Sequence, residues 1–315
     1  MNSFKYWLAC LSLIFTISAT AEDISAAVDL TTLFPEQSVK RCDNSKQPLN
    51  INREQPLVLI VHGCFASAGQ FKALAGVYEH LDQQVACFEY DDRDSLERVS
   101  GELAQSINKL NTVVGGEKLT IIGHSQGGLI SRRAVTADRQ DGKTVTHADL
   151  ELVTVSAPFN GIEASSHCGI NWLRIATLGI IDGICYLVTG EKYLQIPPQT
   201  DFINYPGDLA PEVSRHLIIK TDESGTCRSN SSSGECTQDD YVFSLNEQSQ
   251  LSVDNMRRSE STTVAAGHAE IVGNEVEVPW KLIETLQQFE VMARPNQAEL
   301  EQFYVVVQNI YNNYL

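Results

Sequence analysis

Gly123-His124-Ser125-Gln126-Gly127 places a serine between two glycines at the join of an apolar, strand-like run (Leu119, Ile121, Ile122) and an amphipathic, helix-like run (Leu129, Ile130, Ala134). A strand-to-helix turn this tight forces the serine into a strained backbone conformation and leaves its neighbours no room for side chains. The chemistry expected of such a residue is nucleophilic attack by its hydroxyl. A serine hydroxyl attacks only when a base removes its proton, so the same fold must bring a histidine to Ser125.

There are seven histidines. His62 and His124 belong to motifs at strand ends, and His80, His147, His167 and His216 fall in helix, turn or pre-strand settings. His268 follows the last strand-like run and is the candidate base. The acid that would orient it should follow the strand-like run His216–Lys220, where Asp222, Asp239 and Asp240 all qualify. The negative charge that develops on an attacked carbonyl needs two backbone N–H donors, one of them expected from Gln126.

The elements that must position these groups alternate along the chain. Strand-like runs are expected at Leu57–Val61, Val85–Tyr90, from Lys118 to the elbow, Leu150–Val155, His216–Lys220 and Thr262–Ala266. Helices are expected at Gln70–Leu81 and from Leu96 to Leu110, the latter closed by Gly115-Gly116, and a last one at Leu300–Tyr311. Residues before Leu57 carry too weak a pattern to place. This order implies an α/β fold with a mainly parallel sheet, helices on both faces, and ligands beyond the carboxyl ends of the strands.

The first residues read as a cleavable secretory signal, residues 1–21: Lys5, an apolar stretch from Trp7 to Ile17, and Ala19-Thr20-Ala21 before Glu22-Asp23. The stretch is too short for a stable membrane anchor, which needs about 20 apolar residues. Removal leaves residues 22–315, one α/β domain with no repeat. It also takes the net charge from −17 to −18, which opposes nucleic acid and anionic membrane surfaces as partners. Loss of Cys10 leaves seven of the eight cysteines, and in an exported chain disulfides are the expectation. Cys227 with Cys236 and Cys168 with Cys185 each flank a local loop, while Cys42, Cys64 and Cys87 compete for a third bridge. No C-x-x-C spacing points to a metal, and none is expected.

Taken together, G-H-S-Q-G-G at the elbow, the H-G ending an apolar strand, S-A-P-F-N-G at Ser156–Gly161 and the late Gly267-His268 resemble the α/β-hydrolase superfamily, and within it secreted bacterial lipases and esterases. The likeness runs from about Leu57 to Leu286. It implies a serine hydrolase acting on an ester or lipid substrate through a covalent acyl-enzyme, with no organic cofactor, in the periplasm or outside the cell. It also implies His268 as the base and Asp239 as the leading acid, because Asp239-Asp240-Tyr241-Val242 matches the D-x-x-V of related lipases; Asp222 and Asp240 stay as alternates. By the same likeness Cys64, after H-G, gives the second oxyanion donor, with Phe65 the neighbouring alternative. Some relatives bind calcium through an acid where Glu270 stands, but the other ligands have no match here.

A long apolar insertion, about 162–210, includes Trp172, Leu173, Ile175, Leu178, Ile180, Ile181, Ile184, Tyr186, Leu187 and Val188. It is expected to form a lid or acyl-chain wall over Ser125. The same three side chains would equally serve a thioesterase, an amidase or an acyltransferase, and the scaffold alone would serve a non-catalytic binding protein.

Overall fold

The computed structural model describes residues 27–114, 116–147, 149–166, 190–273 and 277–313. Its centre is a seven-stranded sheet in the order Ser259–Ala265, Val213–Asp222, Leu150–Val155, Leu119–His124, Leu57–Val61, Gln84–Phe88, Val39–Lys40. The first six are mutually parallel, and Val39–Lys40 closes the edge antiparallel to Gln84–Phe88.

The unbroken apolar run Leu57–Val61 has its reason in burial on both faces. Leu57, Leu59 and Val61 enter one core, with Leu96, Val99, Leu103 and Ile107 of the Leu96–Asn111 helix and with Leu129 and Ile130 of the Gln126–Ala134 helix. Val58 and Ile60 enter the other, with Leu74, Val77 and Tyr78 of Lys72–His80, Leu282 and Leu286 of Trp280–Gln288, and Phe303 and Val307 of Leu300–Asn313. The two-residue period of a strand thus sends alternate side chains to two helical layers.

The expected strands are all present, Leu57–Val61 and Leu150–Val155 with the expected ends and the others with ends moved by one to three residues. The Leu96 helix stops at Asn111, short of the glycines, and Gly116, at φ 90°, instead turns the chain toward the elbow strand. The unplaced N-terminal stretch supplies the antiparallel edge strand and a two-stranded pairing of Ala27–Asp29 with Asn50–Asn52. Among the described residues no helix is long and apolar enough to cross a membrane.

Cys42 pairs with Cys87 and so fastens the edge strand to its neighbour; Cys227 pairs with Cys236; Cys64 is free. Closing 45 residues, the first bridge stabilises by about 4 kcal/mol through loop entropy, against about 2.6 for the nine-residue loop of the second. Cys168 and Cys185, like residues 1–21 and the lid candidates Trp172, Leu173, Ile180 and Ile181, lie outside the described residues.

Sheet order locates the site. From Leu57–Val61 the chain first builds outward to Gln84–Phe88, then returns to lay Leu119–His124 on the other side. The strands ending at Val61 and His124 therefore flank the point where the winding reverses, and a crevice opens beyond their carboxyl ends.

Candidate active site

Ser125 stands in that crevice with φ 55° and ψ −123°, a conformation that favours glycine and here holds a serine. The surrounding glycines are sterically required. A Cβ on Gly123 would lie 2.4 Å from the Gly127 carbonyl oxygen, and one on Gly127 would lie 2.3 Å from the Val61 oxygen and 2.4 Å from that of His62. The Ser125 N–H donates to the Val155 carbonyl at 2.9 Å, which moors the turn to the next strand.

His268 Nε2 lies 3.1 Å from Ser125 Oγ. Its Nδ1 lies 3.0 Å from Oε1 of Glu223 and 2.9 Å from Ser156 Oγ. The carboxylate can only accept, so Nδ1 carries the proton and Nε2 turns a lone pair toward the serine. Glu223 is 1 % exposed and fully hydrogen-bonded. Its Oε1 also accepts from the hydroxyls of Ser156 (2.9 Å) and Thr221 (2.9 Å), and its Oε2 from the N–H groups of Val242 (2.6 Å) and Phe243 (2.8 Å). Burial by itself would raise this carboxyl. The hydrogen bond and charge of His268 and the two backbone donors outweigh it and hold the group below the usual glutamate range.

The place beside His268 expected for Asp239 is thus held by Glu223. Asp239 ends the exposed strand Cys236–Asp239, in the hairpin that the Cys227–Cys236 bridge staples. Asp222 spends its carboxylate on the N–H and hydroxyl of Ser224, which lower its pKa. Asp240 is buried and serves the histidine loop from behind: its carboxylate accepts from the N–H groups of Ala269 and Glu270 and pairs with Arg228, and its carbonyl accepts the His268 N–H. Glu223 was legible as the residue next after a strand end, between Ser125 and His268 in chain order; reasoning confined to aspartates passed over it. Ser156, within S-A-P-F-N-G, likewise carries a hydroxyl to the acid that its motif did not disclose.

His124 supports His268 from the other side. Its Nε2–H donates to the His268 carbonyl at 3.1 Å, and burial, reinforced by the neighbouring His268, drives its pKa well below the ordinary histidine value. A neutral His124 adds no repulsion when a proton arrives on His268. Glu270, the calcium candidate, accepts from the Gly267 N–H at 2.8 Å and pairs with Lys281.

Cys64 and Gln126 both border Ser125 in one cavity of about 700 Å³. The Phe65 N–H is bound at 2.7 Å to the Asp92 carboxylate, so it is not free to meet an oxyanion. Burial pushes the Cys64 thiol up although the ammonium of Lys192 pulls it down, which makes it a poor nucleophile at neutral pH. The cavity wall is largely apolar, with Leu129, Pro158, Val242 and Phe243, and with Ile162 and Ile196 from the two described flanks of the insertion.

The fold, with a serine elbow facing a histidine and a buried acid, is that of the α/β-hydrolase superfamily. Residues 57–199 match the family model for palmitoyl protein thioesterase. The propeptide form of the Bacillus licheniformis lipase BlEst2 superposes with a TM-score of 0.52 at 14 % identity, covering 82 % of this chain and 54 % of that one, a likeness of fold. The mature form of that lipase gives 0.48 at 13 % identity, over 80 % of this chain and 95 % of that one. Aspergillus fumigatus lipase B gives 0.46 at 15 % identity, over 91 % and 68 %. No curated protein matches the chain.

Proposed function

We propose that this chain hydrolyses carboxylic esters of apolar acids through a covalent acyl-enzyme on Ser125. The observation that carries the reading is the unbroken line from Ser125 Oγ through His268 to a buried, ionised Glu223, at the floor of an apolar cavity. His268 Nε2 takes the hydroxyl proton as Oγ attacks the carbonyl carbon, and Glu223 steadies the imidazolium. The N–H groups of Gln126 and Cys64 receive the oxyanion. Collapse of the tetrahedral intermediate expels the alcohol, which takes its proton from His268, and a water then repeats the sequence to release the acid.

A second reading, thioester cleavage, is favoured by the palmitoyl protein thioesterase match over residues 57–199. The same steps serve it, with a thiol leaving that takes its proton from His268. The insertion is proposed to wall the acyl chain, supported by the place of Ile162 and Ile196 in the cavity. Export is part of the proposal, supported by the Cys42–Cys87 and Cys227–Cys236 disulfides and the signal-like residues 1–21; a mature protein that begins near Glu22, read by its intact mass, is the expected outcome of secretion.

A fluorophosphonate probe tests the core of the proposal. The adduct should map to Ser125, and Ser125→Ala should lose both labelling and ester turnover while melting like the wild type. An adduct elsewhere, or full activity in Ser125→Ala, overturns it. Matched p-nitrophenyl esters and acyl thioesters of two to eight carbons then separate the two readings. Each buried methylene should add up to about 0.8 kcal/mol to kcat/KM selectivity in the preferred series.

A further inference from the structure

The mechanism above gives no task to a buried cation that borders the same cavity as Ser125. Lys192, in the short Glu191–Leu194 turn, is 2 % exposed. Its ammonium donates to Cys64 Sγ at 2.8 Å, to Gln126 Oε1 at 2.7 Å and to the Asp92 carbonyl at 2.5 Å, with the Asp92 carboxylate 3.7 Å away. Three donors thus meet three acceptors on three separate segments. Cys64 follows the Leu57–Val61 strand, Asp92 follows Gln84–Phe88, and Gln126 opens the elbow helix. The Gln126 amide is fixed at its other end as well, its Nε2 donating to the Asp92 carbonyl at 3.0 Å.

Removing an ammonium from water costs several kcal/mol, and a well-packed apolar residue would fill the space without that cost. The partners of this charge are the side chains of the same two residues whose backbone N–H groups are proposed to hold the oxyanion. Those N–H groups lie on different segments, beyond Val61 and Gly123, the last residues that pair in the ladder between the two strands. Donors stabilise an oxyanion only when already aimed at the place it will occupy, so a fixed spacing has catalytic worth.

We propose that Lys192 is a positioning residue that clamps Cys64 and Gln126 into a preformed oxyanion hole. The inference rests on the Ser125 reading given above. Lys192 lies within the insertion, about 162–210, on its described C-terminal flank, so the clamp also joins that flank to the hole.

Lys192→Met keeps the stem and removes the donors. It is expected to lower kcat for a short ester on the order of ten- to a hundredfold, with KM within about twofold of wild type. Affinity for a trifluoromethyl ketone, whose adduct with Ser125 carries an oxyanion, should fall by the same factor, while affinity for the product carboxylate should not. If Lys192→Met melts below the assay temperature, Gln126→Met takes its place. It cuts the side-chain tether, keeps the backbone N–H, and should give the same split. Wild-type kcat and ketone affinity in the folded variant, or a loss confined to KM or to thermal stability, overturns the clamp. Failure of the wild type to label at Ser125 would instead overturn the acyl-enzyme reading on which it stands.

Discussion

Oε1 of Glu223 lies 3.0 Å from Nδ1 of His268, and the preceding residue, Asp222, turns its carboxylate to its own loop at Ser224. The pairing makes the charge of Glu223 the partner of any imidazolium formed on His268. Glu223→Gln keeps the shape and loses that charge, and kcat should fall about a thousand- to ten-thousandfold, the scale seen when a serine protease loses its equivalent carboxylate. Asp239→Asn and Asp222→Asn should stay within a few-fold of wild type. Steady-state kinetics on the three variants decide it, and a crippled Asp239→Asn would restore the hairpin aspartate as the acid.

The same carboxyl gives a pH-dependent stability. Its folded pKa lies below the ordinary value of about 4.3, so the unfolded chain takes up its proton first as pH falls. The contribution is therefore complete above the ordinary value and disappears as pH drops through the depressed folded one. The Tm difference between wild type and Glu223→Gln should narrow from pH 6 to pH 3. A difference constant across that range would mean that the charge of Glu223 adds nothing to stability.

Asp240 acts on the histidine through the backbone. Asp240→Ala strips the acceptor from the Ala269 and Glu270 N–H groups and the partner from Arg228. Loss of charge-assisted hydrogen bonds at a buried site costs about 2 kcal/mol, equivalent to a Tm lower by roughly 4–8 °C. Asp240→Asn, which keeps an acceptor oxygen, should fall between the two. Differential scanning fluorimetry would detect the order, and an unchanged Tm in Asp240→Ala would remove this residue from the support of the loop.

Gly127→Ala puts a methyl against the carbonyl oxygens of Val61 and His62, backbone atoms that cannot swing aside. The elbow helix must move off the Leu57–Val61 strand, at a cost of about 3 kcal/mol or more. Soluble yield and Tm should both drop. By contrast, Gly142 has nothing within 4 Å of an added Cβ, and the penalty for Gly142→Ala is confined to the strain of its φ of 69°.

The sequence alone determined the frame. Apolar runs at Leu57–Val61, Leu119–Ile122 and Leu150–Val155, alternating with helical periodicity, can be satisfied only by a parallel sheet covered on both faces. The glycines about Ser125 are legible because contact distance leaves a local signature in residue type. His268 could be chosen by its place after the last strand-like run, where the order of the α/β-hydrolase resemblance puts the histidine. The acid could not. Asp222, Glu223, Asp239 and Asp240 are all carboxylates within eighteen positions, and which of them meets His268 depends on side-chain direction at a strand end and on the path of a hairpin. Tertiary structure also decided that Cys42, and not Cys64, pairs with Cys87, because antiparallel docking of the edge strand brings those two together. It alone brought Lys192 to Cys64 and Gln126, 128 and 66 positions away in the chain. A contact of that separation leaves no local pattern, because each partner obeys only the propensities of its own segment until the loops close.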